Sequence, residues 1–459
     1  MAVLQGMDNG GCLPASSRNF LVMTSTQQQH FGFNASGVEG SVLESFDMNQ
    51  QANETYKLSF GKTPVARGID RLTVKDIEKY KANCWLMSPP SLHPRRQTAG
   101  RSGYRAKPLL HLLDQLEKMT TPPTYLFLEN VKNFETSRSR ERLVTLLHKS
   151  GYVFRECLLA PHNFGVPNDR LRYFLMARLR STFEQPTSSP ASSTEAEPFN
   201  PDTEIVYTTW PFPAFVEDPK TPVEQHPFHT PTLEKFLDQD ETAAKDYLLS
   251  RQLILERPNF RFDILRPSSN RSSCFTKAYG SHHVASGGGL LQTSKMDQQE
   301  YDFGDSESIA ELNLRFFTPT EVARLHVFPL EGDKQDDAFE RKDQEPKPSQ
   351  STLTTTRPFS PRQAQNATGP FLKFPEKLKA LQRYKLLGNS LNVWVVAELL
   401  RGVLFADHPG LPQPTYRDPD NGAEKAVAQD SLDNKHAIEL EEGVVPDSSE
   451  RDTKKAKVE

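Results

Sequence analysis

Cysteine is scarce in this chain. Its four cysteines, Cys12, Cys84, Cys157 and Cys274, lie far apart, with no CxxC pair and no Cys/His spacing of a zinc site. They read as reduced thiols of an intracellular protein, which excludes a disulfide-built scaffold and a structural metal centre. Long apolar runs are missing too. No stretch of about 18 apolar residues offers a membrane span, and the N-terminus lacks the basic-then-apolar order of a secretory signal. Hydrophobic residues make up only 36% of the 459, while prolines number 35, the balance of a packed core diluted by polar segments. Nor is there a strong charge of either sign. The net charge of −4 is uneven, since 13 acidic and 7 basic residues lie from Phe405 onward and leave the remainder slightly basic. That neither demands nor excludes a nucleic-acid partner, because a local patch counts for more than the total.

What is present is an alternation of strands and helices. Residues 1–29 show no convincing period. "GSVLESFDMN" (40–49) alternates as a half-buried strand does, "QQANETYKLSF" fits a helix, and "NCWLMS" reads as a strand. Leu109, Leu112, Leu113 and Leu116 recur at helical spacing. "TYLFLENV" (124–131) is a further strand, "ERLVTLLHKSGY" a helix stopped by Gly151, and "RLRYFLMARL" (170–179) another strand. This order predicts an α/β fold with a doubly wound sheet. Residues 181–204 and 331–370 are polar insertions, 205–315 is weakly periodic, and "SLNVWVVAELLRGVLF" (390–405) returns to a buried helix. The terminal "KKAK" reads either as a nuclear import signal or as a solvated tail end.

Six pieces carry chemistry when read together: "SPPS" (88–91), "ENV" (129–131), "GVPNDRLRYF" (165–174), "SCFTKAYG" (273–280), "RFFTPTEVARL" (315–325) and "QRYKLLGNSLNVWVVAELL" (382–400). In order and spacing they resemble the cytosine-C5 methyltransferases. "CFTKAYG" and "RYKLLGNSLN" look most like the tRNA-aspartate branch of that family, once described as DNA methyltransferase homologues. The likeness runs from about His30 to Phe405. It implies a Rossmann-like fold dependent on S-adenosyl-L-methionine, with a smaller target-recognition region. The domains are then an irregular N-terminus (1–29), a catalytic and cofactor domain (30–180), a low-complexity insertion (181–204), a target-recognition region (205–315), a return to the catalytic domain (316–405, with the insertion 331–370) and a disordered acidic tail (406–459). The implied substrate is a cytosine in a tRNA anticodon loop, tRNA-Asp in the branch named, with DNA as the alternative. A monomer in the cytoplasm, the nucleus or both is the expectation.

The resemblance assigns roles residue by residue. The position of Ser91 is that of the nucleophile that adds to C6 of the ring. Glu129 would hydrogen-bond the ring N3, although a strand-end Glu is also an ordinary cap. Arg170 and Arg172, alternating on one face of a strand, would clamp the flipped base, or else be surface charges of an edge strand. Asp47 would accept from ribose hydroxyls. Met48, Ile69 and Asp70 would flank the adenine and ribose, and Pro89 would also contact the cofactor. Gly388, Asn389 and Ser390 would begin the last helix and close the methionine end, a position that also suits a plain N-cap. Cys274, Phe275, Thr276, Lys277 and Tyr279 would line the RNA-facing side, with Phe275 and Tyr279 equally readable as core aromatics.

Two departures stand out. The family's nucleophile is a cysteine, and here it is Ser91. A thiol of pKa about 8.5 is partly ionised at neutral pH, whereas a serine hydroxyl needs an adjacent base. His93 is the only local candidate, and an alkoxide is poorly suited to adding at C6. Cys84, seven residues upstream in a strand, is expected to be buried. The family also opens with a Gly-rich loop about twenty residues before Asp47, where this chain has "TSTQQQ" (24–29); without glycine the backbone cannot approach a cofactor as closely. Either the sequence carries faults of gene translation at these two places, or activity has decayed in a protein kept for RNA binding or regulation. On both readings the expectation is impaired methyl transfer.

Overall fold

The structure, a computed structural model, describes residues 18–24, 26–90, 103–182, 199–215, 220, 230–240, 244–281, 287–333 and 369–406. Ser91 and His93 lie outside them. The strands are β1 (Arg18–Met23), β2 (Gly40–Phe46), β3 (Cys84–Met87), β4 (Tyr125–Val131), β5 (Tyr152–Leu159), β6 (Arg172–Leu179), β7 (Val206–Tyr207), β8 (Ile264–Leu265) and β9 (Leu290–Leu291). The helices are α1 (Thr26–Ser36), α2 (Gln50–Phe60), α3 (Val74–Glu78), α4 (Gly103–Lys118), α5 (Arg138–Lys149), α6 (Arg251–Leu255), α7 (Ser306–Ala310), α8 (Pro319–Leu325), α9 (Ala380–Gly388) and α10 (Val393–Leu399), the last continued by a π-helical turn, Leu400–Leu404.

Seven of the strands form one sheet in the order β2-β1-β3-β4-β6-β5-β7. β2, β1, β3 and β4 run parallel, and β6 enters antiparallel between β4 and β5. Successive side chains of a strand face opposite sides, and the core divides accordingly. Phe20, Val22, Cys84, Leu86, Phe127 and Phe174 pack on one face beneath α1 and α10. Leu21, Met23, Trp85, Met87, Leu126 and Leu128 pack on the other, against the leucines of α4 and α5. Burial on both faces explains why the central strands are continuous apolar runs.

β1 corrects the expectation of an irregular N-terminus. Its "FLVM" is too short for a period to show, and it becomes a strand because β2 and β3 flank it. Helix starts follow local chemistry: Asn49 caps α2 by accepting from the Gln51 and Ala52 N–H groups, and Thr318 and Glu321 form a capping box on α8. Gly151, with φ +77, follows the end of α5 as expected.

The middle region has a small core of its own, in which Ile254, Phe262, Leu290, Ile309, Leu312 and Leu314 pack around α6, α7 and the β8–β9 pair. The expected boundary at 205 shifts, because β7 pairs with β5 in the main sheet and Trp210 and Phe212 join the main core. Among the described residues no helix is long and apolar enough to cross a membrane.

One buried ion pair joins α5 to the sheet. Arg140 donates from Nε to Glu156 Oε1 at 2.9 Å and from Nη2 to Oε2 at 2.6 Å, and the Tyr173 hydroxyl also donates to Glu156. Removing one partner of such a pair strands a buried charge. Arg140→Met is therefore expected to lower stability by about 3–5 kcal/mol, read as an earlier midpoint in urea unfolding.

Candidate functional site

The chain winds from β1 out to β2 and returns to β3 on the other side of β1, so the sheet order reverses between β1 and β3. In open α/β sheets the crevice at the carboxyl ends beside such a reversal is where ligands bind. The strand ends there are knitted together: Thr24 N–H donates to Phe46 O at 2.9 Å and Ser88 N–H to Met23 O at 3.1 Å.

Three polar side chains reach this edge on the face covered by α1 and α10. Ser88 continues the alternation of Cys84 and Leu86, Glu129 that of Phe127, and Arg172 precedes Phe174 on the same face. Because β6 is antiparallel to β4, its first residue Arg172 lies opposite Val131, one diagonal step from Glu129. The outcome is a cluster: Ser88 Oγ donates to Glu129 Oε2 at 2.6 Å, and Arg172 Nε stands 3.4 Å from Glu129 Oε1. Glu129 is only 5% exposed. Burial pushes its carboxyl above the usual range, against the pull of Arg172, Ser88 and Arg170. Pro89 is buried beside it, its carbonyl accepting from Asn130 Nδ2 at 3.2 Å.

Arg170 departs from the expectation of a base clamp sharing a strand face with Arg172. It precedes β6, and its guanidinium is spent on the protein: Nη1 donates to Phe275 O at 3.0 Å and to Cys274 Sγ at 3.4 Å, and Nη2 to Gly388 O at 3.0 Å. Burial, then Arg172, brings it down to about 10. Arg170 thus ties the middle region to the end of α9. The same junction requires Gly388, since a Cβ there would meet Lys277 N and Thr276 C at 2.2 Å.

Of the two readings left open for Phe275 and Tyr279, the structure places both in the core. Their rings meet edge to face with centroids 5.0 Å apart, both are buried, and the Tyr279 hydroxyl donates to Gly289 O while accepting from Phe317 N–H, each at 2.8 Å. Neither ring can stack on a base. Cys274 and Thr276 are half-buried, and Lys277 is exposed.

On the cofactor side, Asp47 is half-buried at the exit of β2, with Oδ1 accepting from Asn49 N–H at 2.8 Å. Met48 is 64% exposed. Gly68 is closely covered, since a Cβ there would lie 2.5 Å from Asp70 Oδ1 and 3.9 Å from Met48 Sδ, so Met48 and Asp70 stand together at this turn. Ile69 packs inward among the leucines of the opposite face. Asn389 and Ser390 do not begin the last helix: they follow α9, and Asn392 caps α10 by accepting from Trp394 and Val395 N–H groups. Ser390 Oγ accepts from Gln28 Nε2 at 2.8 Å and donates to Leu386 O at 2.9 Å, fastening α1 to α9, while Asn389 is exposed. Cys84 is buried at 1% exposure, and burial pushes its thiol up, so it cannot replace a nucleophile.

The model of the family described as C-5 cytosine-specific DNA methylase matches residues 26–342. This chain belongs to that family. By family it is a cytosine-C5 methyltransferase. A protein of Dictyostelium discoideum named "DNA (cytosine-5)-methyltransferase" is 32% identical, over 81% of this chain and 90% of the relative. The Homo sapiens protein named "tRNA (cytosine(38)-C(5))-methyltransferase" is 31% identical, over 81% of this chain and 95% of its own length. The crystal structure of the S. pombe Dnmt2 methyltransferase matches with a TM-score of 0.59 at 25% identity, covering 85% of this chain and 99% of that one.

Sequence reasoning missed Ser88, Asn130 and Gln28. Only for Ser88 was there a signal, a polar residue continuing the inward alternation of a strand.

The missing Gly loop has a local cost. Thr24 stands at φ +65, a conformation that costs an L-residue about 1–2 kcal/mol. Thr24→Gly is expected to gain on the order of 0.5–1 kcal/mol after the extra chain entropy of glycine, read by urea unfolding. Glu129 supplies a second expectation. Its folded pKa is raised, so its destabilising effect is absent below the ordinary carboxyl pKa, grows as pH rises toward the folded value and is constant above it. Glu129→Gln should match the parent in stability near pH 4 and exceed it near pH 8.

Proposed function

We propose that this chain transfers a methyl group to C5 of a cytosine in a tRNA anticodon loop, tRNA-Asp being the first substrate to test. The observation that carries this reading is the buried Glu129 carboxyl, held between Ser88 and Arg172 at the switch-point edge. Relatives with the tRNA name span 81% of the chain. S-adenosyl-L-methionine, when bound, supplies the methyl group as an electrophile. Asp47, Met48 and Asp70 would hold its nucleoside part at the exit of β2, with Pro89 and Asn389 bordering the site.

The chain's own residues do the rest. A base taken out of its stack enters at Glu129, and anticodon loops allow this at low cost. Glu129, whose carboxyl burial pushes above the usual range, donates to the ring N3 and stabilises the charge pushed into the ring when C6 is attacked. Arg172 holds the carboxyl and faces the base. Arg170 acts from behind, fixing the Cys274–Lys277 segment against Gly388 so that Lys277 can meet phosphate. The side chain at 91 must add to C6, then leave once C5 has taken its methyl and lost its proton. Serine adds poorly, so transfer by this chain is slow.

Ser91 also favours a second reading, a non-catalytic RNA-binding or regulatory protein of the same fold. Purified protein with tritiated S-adenosyl-L-methionine tests the two on tRNA-Asp and on duplex DNA in parallel. Ser91→Cys is expected to raise tRNA methylation at least ten-fold. Binding of tRNA without methylation by Ser91→Cys would favour the second reading, and labelling of the duplex alone would move the substrate to DNA.

A further inference from the structure

The exits of β3 and β4 are cross-tied at two successive rungs, Ser88 to Glu129 and Pro89 to Asn130. The second rung runs from the Asn130 side-chain amide to the Pro89 carbonyl and ties one strand end to the main chain of the other. The first has a different character. A hydroxyl 2.6 Å from a carboxylate oxygen is a charge-assisted bond, and it engages one oxygen of the two. Glu129 Oε2 takes the Ser88 hydroxyl, and Oε1 faces Arg172 at a looser 3.4 Å. Ser88 is itself fixed at the main chain, its N–H donating to Met23 O at 3.1 Å, and Pro89 follows it directly. Its hydroxyl is therefore presented from a rigid main chain, with freedom of rotation about Cα–Cβ and Cβ–Oγ.

A carboxyl that serves a base must do two things: carry a proton, and carry it on the oxygen that faces the ring. Burial supports the first and says nothing about the second. Either oxygen of a buried carboxyl can take the proton unless a neighbour distinguishes them. Resting on the reading that Glu129 donates to the ring N3, we propose that Ser88 is a positioning residue that reserves Oε2 by donating to it, so that the catalytic proton sits on Oε1 beside Arg172. Ser88 does not touch the base. It acts through Glu129, making the two oxygens unequal before the substrate arrives, and it opposes excessive protonation because its bond is strongest to the ionised carboxyl. In sequence the orienting hydroxyl at 88 stands three positions before the attacking side chain at 91.

Two measurements separate this proposal from the function it rests on. The first needs no catalysis: the carboxyl stretch of Glu129 is followed by infrared difference titration of the whole protein and assigned by its disappearance in Glu129→Gln. Ser88→Ala should raise the Glu129 titration by about one pH unit and shift the band. Ser88→Thr, which keeps the hydroxyl, should stay within a few tenths of the parent. An unchanged titration and band in Ser88→Ala overturns the proposal whatever the enzyme does. The second measurement uses the Ser91→Cys protein with tRNA. There Ser88→Ala should lower kcat about ten-fold with KM little changed, while the alkaline limb of its pH profile moves upward, and Ser88→Thr should restore both. A merely structural loss would lower activity without moving the limb, and that result also overturns the proposal. If Ser91→Cys methylates nothing while the infrared shifts are as expected, the fault lies in the proposed function and the Ser88–Glu129 device stands.

Discussion

A carboxyl group taken out of water at the exit of a strand constrains everything around it. Glu129 must find its donors within the protein, and only a particular sheet order brings them. Ser88 comes from the neighbouring parallel strand. Arg172 comes from a strand that has to run the other way, since a parallel β6 would carry its first residue to the opposite edge of the sheet. The antiparallel insertion of β6 is thus the step in chain topology that turns an ordinary nucleotide-binding crevice into one with a guanidinium facing an acid. Arg170, two residues earlier, is released from the sheet and free to grip the middle region instead.

That grip connects the middle region to the end of α9. The segment from Cys274 to Lys277 belongs to the middle region, and the turn from Gly388 to Ser390 closes on α1. Arg170 donates to both, and the absence of a side chain at Gly388 lets the two backbones touch. Gln28 extends the chain of contacts to the first helix through Ser390. A displacement of the middle region is therefore felt at the start of α1, next to the crevice.

Much of the architecture was legible in the sequence. β2, β3, β4 and β6, with α2, α4 and α5, declare themselves by period and by punctuation such as Gly151. β1 does not, because four apolar residues buried on both faces show no alternation. β5 is obscured by Arg155 and Glu156, charges that a strand core does not suggest; Glu156 is tolerated because Arg140 reaches it from α5, a partner only the fold supplies. At the site, "ENV" drew attention to Glu129, which is buried at its strand end, whereas Arg170 and Ser390 turn to internal partners and Phe275 and Tyr279 take the core position that the sequence left equally open. Those residues are spent on internal contacts whose partners lie more than a hundred residues away, at the next motif, or in the backbone. Among the described residues seven non-glycine positions have positive φ, and two of them, Thr24 at φ +65 and Val327 at φ +58, are β-branched. Thr24 stands two residues before the first residue of the helix that flanks the crevice.

The polar stretch after β6 leaves from the opposite rim of the sheet. Leu179 pairs with Tyr152, and its N–H reaches Thr124 O at the entrance of β4. On the return, Phe199 stacks flat on His148 at 4.1 Å, just before β5 begins. Both anchors stand a full strand length from Glu129. The anchors themselves are thus mechanically insulated from the chemistry, and a disturbance at Leu179 or Phe199 would have to travel the length of a strand to be felt at the carboxyl.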